Sequence, residues 1–436
     1  MFRAKGEMFG DVADLDAAVD AYREAGRAQN ASHFTLSGFA SVLLIRFQHL
    51  WLSWPNIERS VTLSRAAVEA APTHDRHGPL NLSGVALRLR FGRSGVLGDP
   101  GDLDEAIEAG QAAVRAVSAG HTLRPTYLAN LAMAHIDRFR ERRTESDAEA
   151  AEDVDAAIGL LREAVATVPP GHRLRPGLLT GLAGALADRF DTTSGLGDLQ
   201  AAIDHAAHAL DECPPGRAVR AVLQMLRGRL LLRRRELRSG EETAADLAAA
   251  MTALREVIDS ATAQPRLRMT ALRTLAEQAT EPAAALAAYE RAVEFVPLIA
   301  WHGLDRRDRE HFLAWIGALP QEAAAAALDA GRPERAVELL EHGRAVLWSQ
   351  SLQTDLDLAA VRRHSPDVAQ RLERVRDRLQ ALDALGDPGP AHVASRDRTS
   401  VSDTRVALAR EWEELCEHVR RDVQRCEGSG PAGLRA

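Results

Sequence analysis

The sequence predicts an all-α chain, an α-solenoid of stacked helix pairs followed by a C-terminal antiparallel helical hairpin. Three observations lead there. A short apolar pattern recurs six times before residue 260, and a second apolar element ending in Phe alternates with it. Alanine is plentiful while aromatic residues make up only 4%, which suits helices packed closely through small side chains better than sheets.

The recurring pattern is an apolar residue, three mostly small or polar ones, then a second apolar one. It reads "LDAAV" at Leu15–Val19, "IERSV" at Ile57–Val61 and "LDEAI" at Leu103–Ile107. It returns as "VDAAI" at Val154–Ile158, "LQAAI" at Leu199–Ile203 and "LAAAM" at Leu247–Met251. Successive copies start 42, 46, 51, 45 and 48 residues apart. The apolar positions continue at helical spacing, as in Leu199, Ile203, Ala206 and Leu210. An Asp directly precedes five copies (Asp14, Asp102, Asp153, Asp198, Asp246) and Asn56 precedes the other, where each is placed to cap the helix.

The alternating element ends at Phe47, Phe91, Phe139 and Phe190. Positions 4, 7, 8 and 11 residues before that Phe fall on one helical face. They are Leu43, Ala40, Phe39 and Leu36 in the first copy, and Leu186, Ala183, Leu182 and Leu179 in the fourth. The position 7 before is always small (Ala40, Gly84, Ala132, Ala183), so the paired helices can approach closely. Pro79, Pro125 and Pro176 stand where a first-turn proline is tolerated. One such pair cannot bury its apolar faces alone, so stacked pairs share a continuous core.

From about Pro265 the repeat blurs. "TEPAAALAAYERAVEFVPLIAW" still reads as a repeat helix, and three helices follow to Arg344, with Gly331 and Pro333 separating the last two. The solenoid is expected over residues 1–350. Val368, Leu372, Val375, Leu379 and Leu382 make one stripe, and Leu408, Trp412, Leu415, Val419 and Val423 another. Two stripes joined by "LGDPGPAHVASRDRTS" predict the hairpin over 351–427, with a disordered tail at 428–436.

These repeats, together with "RPERAVELLEHGRAVLWSQ" at Arg332–Gln350, resemble the tetratricopeptide-repeat region of bacterial CHAT proteins. There such a solenoid precedes a caspase-like cysteine peptidase domain. The resemblance implies that this chain is a tetratricopeptide-like scaffold, the sensor or adaptor region of such a system. The peptidase is then removed, encoded separately or lost, because no strand-rich segment embeds a His and a Cys. It also implies a protein or peptide ligand in a concave groove lined by the first helix of each pair. Carried onto this sequence, the groove-facing positions include Asn81, Asn130, Asp137, Thr180 and Asp188.

The residues themselves offer little chemistry. Cys213, Cys416 and Cys426 have no CxxC spacing and read as reduced thiols. His205 and His208 are three apart on a helix but lack a third ligand, so no metal and no cofactor is expected. His121 and His172 sit equivalently in "GHTLRP" and "GHRLRP" and read as structural, while His135 reads as a satisfied core histidine. Arg227–Arg238 holds six arginines, read first as a solvated face, second as a surface for an acidic protein partner and last as one for nucleic acid. A net charge of −8 gives nucleic-acid binding no support, and neither a signal peptide nor a membrane span is visible, so a cytoplasmic protein is expected. A small-molecule enzyme or enzyme subunit without a recognisable motif stays open as the second hypothesis.

Overall fold

A computed structural model describes residues 12–25, 31–49, 54–94, 99–143, 147–238, 242–296, 316–341, 365–384 and single positions between 362 and 419. The described residues are helices and their connections, with no strand among them. In order they are α1 (Val12–Ala25), α2 (His33–His49), α3 (Trp54–Ala70), α4 (His77–Ser94), α5 (Pro100–Arg115) and α6 (Arg124–Arg142). There follow α7 (Asp147–Thr167), α8 (Arg175–Thr193), α9 (Leu196–Glu212), α10 (Ala218–Leu237), α11 (Glu242–Asp259) and α12 (Pro265–Glu277). The last are α13 (Pro282–Val293), α14 (Leu319–Asp329) and α15 (Pro366–Ala384). The chain forms two compact units, Met1–Thr280 and Glu281–Ala436. The boundary expected at residue 350 lies outside the described residues.

In the first unit the helices pair as α2–α3, α4–α5, α6–α7, α8–α9 and α10–α11, with α1 packed on α2 and α12 on α11. Each first helix carries the Phe-aligned face and each second helix carries the five-residue pattern. The predicted core residues are buried: Leu43, Ala40, Phe39 and Phe47 in α2, and Leu179, Leu182, Ala183, Leu186 and Phe190 in α8. Leu36 is only partly buried against that core. The small position works as expected. A Cβ on Gly84 would come 3.0 Å from the Ala106 carbonyl oxygen of α5. In the preceding pair, Ser60 of α3 donates to the Ala40 carbonyl at 3.0 Å. Gly228 of α10 is a fifth copy of this position, hidden in the sequence because Arg235 replaces the marker Phe.

The four aspartates whose side chains are described do not cap their helices. Asp99 caps α5, accepting from the Gly101 N–H at 2.9 Å, and Gly195 holds that place in α9. Asp102, Asp153, Asp198 and Asp246 lie one or more residues inside their helices, each facing the Arg that precedes the marker Phe or its equivalent. Arg90, Arg138, Arg189 and Arg234 each grip their Asp with two hydrogen bonds of 2.5–2.9 Å. The third nitrogen reaches back to the previous pair. Arg138 meets Asp104 and Arg189 meets Asp155 at 2.7 Å, Arg234 meets the Gln200 oxygen at 3.0 Å, and Arg90 lies 3.6 Å from Glu58. One guanidinium per repeat thus spans two helix pairs, using the fork geometry only Arg has.

A second arginine closes each connection between pairs. Arg124 donates to the carbonyls of Val114 and Val117, Arg175 to those of Val165 and Val168, and Arg220 to those of Leu210 and Cys213. Arg268 does the same to Ile258 at 2.7 Å. In each case a cation satisfies the last carbonyls of the second helix just before it and meets the negative end of its dipole.

In the second unit α13 packs on α14. Gly331, at φ +70°, separates α14 from a helix over 333–341, as the sequence predicts. Leu372, Val375 and Leu379 of α15 form one apolar cluster with Leu408 and Leu415, joined by Val368, Trp412 and Val419. Those are the two predicted stripes of the hairpin, and Arg371 bridges them to Glu411 at 3.0 Å. Leu382 falls within α15, while Val423, the intervening loop, the tail and residues 342–350 lie outside the described residues.

Two tests follow from this packing. Gly228 has its neighbours at ordinary contact distance, 3.4 Å or more, whereas Gly84 meets a backbone oxygen at 3.0 Å. Gly228→Ala should therefore gain stability, up to about 1 kcal/mol of helix propensity, while Gly84→Leu should cost about 1–3 kcal/mol by overpacking. Urea unfolding of the two variants checks the opposite signs. The second test uses pH. Burial pushes the Asp153 carboxyl up, but hydrogen bonds from His135 and Arg138 and their charges hold it net below the ordinary range. The Arg234 hydrogen bond holds Asp246 low as well. A carboxyl depressed in the folded state adds stability above its unfolded pKa of about 3.9, lost as pH falls through the lower folded value. Asp153→Asn should cost on the order of 3 kcal/mol at pH 7 by orphaning Arg138, and should flatten the fall of Tm below about pH 4.

Candidate functional site

Within the first unit the first helices touch their neighbours along the row, α2 with α4, α4 with α6, α6 with α8, α8 with α10 and α10 with α12. The second helices show no comparable contact among the described residues. The row with the closer spacing is the inner side of the stack, and Asn81, Asn130, Asp137, Thr180 and Asp188 all belong to its helices.

The structure brings those residues together across the row, mostly by pairing them with one another or with arginines. Asn130 of α6 donates its amide to Asn81 of α4 at 3.0 Å. Asp137 of α6 accepts from Arg88 of α4 at 2.8 Å and lies 3.7 Å from Arg140. Arg140 in turn donates to Asp188 of α8 at 2.9 Å. Arg88, Asp137, Arg140 and Asp188 are thus a charged relay over three consecutive first helices. Thr180 spends its hydroxyl inside α8, donating to the Pro176 carbonyl at 2.6 Å. The relay cross-links the inner row and leaves Arg140 half exposed.

Asp188 is the electrostatically costly member. Burial pushes its carboxyl above the ordinary value, Asp191 adds to the push, and the charges of Arg140 and Arg143 offset only part of it. A side chain held against its preference on an inner face is a candidate contact, since a ligand cation or N–H there relieves the cost.

The histidines fall into place as structure. The Nδ1 atoms of His121 and His172 accept from the N–H two residues on, Leu123 and Leu174, both at 3.2 Å, shaping identical turns. His135 is buried with Nδ1 2.7 Å from Asp153 Oδ1, the satisfied core histidine the sequence predicts. Burial pushes the His205 imidazole down, and His208 lies 3.1 Å from Glu212. Among the described residues no group of three or more His, Cys, Asp or Glu is arranged to hold a metal ion. Cys213 is a buried free thiol, and Cys416 and Cys426 lie outside the described residues.

The basic run departs from a simple solvated face. Arg234 is locked to Asp246 and Gln200, Arg235 donates to Gln278 at 2.9 Å, and Arg238 pairs with Glu242 at 2.7 Å. Arg233 lies over the Phe190 ring, 5.7 Å from its centroid, and 3.8 Å from Asp191. Only Arg229 is exposed with no hydrogen bond or ion pair among the described residues. The α10 stretch is mostly inter-repeat fastening because its arginines occupy the same register as Arg189 and its neighbours one repeat earlier.

No family model and no curated protein matches the chain. Among solved structures it is similar to the C-terminal part of a TPR repeat-containing protein from Cytophaga hutchinsonii, at 12% identity over 68% of this chain and 96% of that one, with a TM-score of 0.37. It is also similar to the human IFIT1 dimer with PPP-AAAA, at 13% identity over 78% and 80% with a TM-score of 0.33. A third is the P58(IPK) TPR domain, at 13% identity over 96% and 97% with a TM-score of 0.20. Scores this low carry no weight for the architecture, which stands on the packing and hydrogen bonds of the chain itself. Among the described residues no helix is long and apolar enough to cross a membrane.

The relay yields a contrast in stability. The raised Asp188 carboxyl costs the folded state at neutral pH and ceases to do so as pH falls through its value, the reverse of Asp153. Asp188→Asn should leave Tm at pH 7 unchanged or raised, where Asp153→Asn lowers it. Thermal melts followed by circular dichroism separate the two, and a large loss in Asp188→Asn would mean Arg140 stabilises the carboxylate more than burial opposes it.

Proposed function

We propose that the chain is a non-enzymatic scaffold whose inner row of first helices binds a protein or peptide, and that it serves as the sensor or adaptor region controlling a CHAT-type caspase-like peptidase. The observation that carries the binding half is the continuous row α4–α6–α8–α10, which offers part-exposed polar side chains from every repeat to one side. Rigid neighbours hold those side chains in place, so little ordering cost is left for binding. Asn81, Asn130, Asp137, Thr180 and Asp188 are the contacts proposed there. The peptidase half rests on the resemblance of the repeats and of Arg332–Gln350 to the tetratricopeptide region of that family. Control would act through the bound ligand favouring one arrangement of scaffold and peptidase over another.

The test is retention of proteins encoded by neighbouring genes on the immobilised full chain. Capture of a His/Cys peptidase, with its activity changed by the chain, is the expected result. Asn130→Arg should reduce capture about tenfold, a binding loss of about 1.4 kcal/mol, while the lost bond to Asn81 costs the fold no more than about 0.5–1.5 kcal/mol and leaves the chain folded. A chain that captures nothing, at concentrations where a control repeat protein does, would sink the reading.

A further inference from the structure

Charge is divided between the two rows. The second helix α9 carries Asp198, Asp204, Asp211 and Glu212 with no Lys or Arg, and acids outnumber arginines in α5, α7 and α11. The first helix α10 carries six arginines against one acid, Glu236. Arg220, Arg234 and Arg235 are committed to fastening. Arg233 is shared between Asp191, Glu236 and the Phe190 ring, and its side chain is still 49% exposed. Arg229, one turn earlier on the same stripe, is exposed without a partner among the described residues. Val222, seven residues before Arg229, is 46% exposed on that stripe. Val222, Arg229 and Arg233 therefore make a cationic surface with one apolar contact point.

The facing stripe of α8 is shallow. With Arg189 set against Arg234, the positions matching Val222, Arg229 and Arg233 are Gly177, Gly184 and Asp188. A Cβ on Gly177 or Gly184 would meet nothing within 4 Å, so packing does not demand glycine at either place. Helical glycine costs about 1 kcal/mol relative to alanine.

We propose that the α8–α10 part of the inner face docks an acidic, extended segment of a partner protein, running along α10 with its carboxylates on Arg229 and Arg233. This rests on the scaffold reading and adds the chemistry of the ligand. Arg229 and Arg233 are four residues apart on a helix, about 6 Å along its axis. Alternate side chains of an extended strand repeat every 6.4–6.8 Å or so, and a pattern of acid, any residue, acid fits that interval. The missing side chains at Gly177 and Gly184 leave room for the segment's backbone, whose N–H groups, not its carboxylates, face Asp188 on the same stripe. The acidic second helices turn such a segment away from the outer side and leave the inner face as its landing place.

The experiment uses the full chain and fluorescence anisotropy of a labelled dodecapeptide alternating Glu with Ala, beside versions carrying Gln or Lys in place of Glu. The Glu peptide should bind, and lose about tenfold in affinity between roughly 0.05 and 0.5 M salt. Arg229→Glu should lose at least as much with Tm unchanged, because the side chain has no partner among the described residues. Gly184→Gln should raise Tm through helix propensity while weakening the Glu peptide, a combination a purely structural glycine would not give. Equal binding of the Gln peptide overturns the charge selectivity but leaves a peptide-binding face. Binding of no peptide overturns the inference, and the scaffold reading then stands or falls on the pull-down. Single-stranded RNA displacing the Glu peptide would also overturn it in favour of a phosphate ligand.

Discussion

The stack depends on one guanidinium per repeat held between two helix pairs. Apolar burial along Leu43, Ala40 and Phe39, or Leu186, Ala183 and Leu182, brings two helices together but does not fix how one pair sits on the next. Alanine-rich faces slide easily, since small side chains interdigitate weakly. Arg138 removes that freedom. Its double bond to Asp153 sets the register within the pair, and its third nitrogen on Asp104 sets the register to the pair before. Arg189 and Arg234 repeat the geometry with Asp155 and Gln200, so the link survives replacement of a carboxylate by an amide. What it requires is a planar fork, which explains why arginine holds the position in every copy.

The same link organises charge over the whole first unit. Each fork puts its cation on the first helix and its acid on the second, and the connection-closing arginines Arg124, Arg175 and Arg220 add to the first-helix side. The first helices α4, α6 and α10 thus carry more arginines than acids, and the second helices α5, α7, α9 and α11 more acids than arginines, as a by-product of fastening. Helices α3 and α8 are balanced. Where surplus cations appear, as on α10, function can use a surface that structure has already charged. The relay Arg88–Asp137–Arg140–Asp188 shows the intermediate case, a cross-link on the inner face that leaves Arg140 half exposed and Asp188 poorly compensated.

The period, the helix pairs and the buried faces were legible because burial repeats with helical spacing and the marker Phe keeps it in phase. The hairpin stripes at Leu372–Leu379 and Leu408–Leu415 were legible for the same reason. The role of the aspartates was not. An Asp close before an apolar run looks like a cap whether it sits at the end of the helix or a turn inside, and its true partner lies a variable 9 to 15 residues away across a loop. The signal was present nonetheless: Arg46, Arg90, Arg138 and Arg189 all stand directly before the marker Phe. The surroundings of the residues expected in the groove were only half legible. Residue type and register placed them on the inner row, but the neighbours that occupy Asp137 and Asp188 come from helices about 50 residues away, beyond any local pattern.

The link also has a weak end. In the α2–α3 pair Asn56 stands where the later copies have Asp, and it is buried with both amide atoms unpartnered. The next back-link, Arg90 to Glu58, is the longest of the set at 3.6 Å. An unsatisfied buried amide costs the folded state about 1–3 kcal/mol, so this pair stays folded chiefly through Leu43, Phe47, Ile57 and their neighbours. In a linear stack, stability is a sum of pair and interface contributions, and opening starts where an interface is poorest. The pairs from α6 to α11, which carry complete forks, are then the rigid part of the stack, and they include both helices of the face proposed to dock an acidic segment. Binding there pays the least for ordering because the fastening arginines have already fixed its geometry.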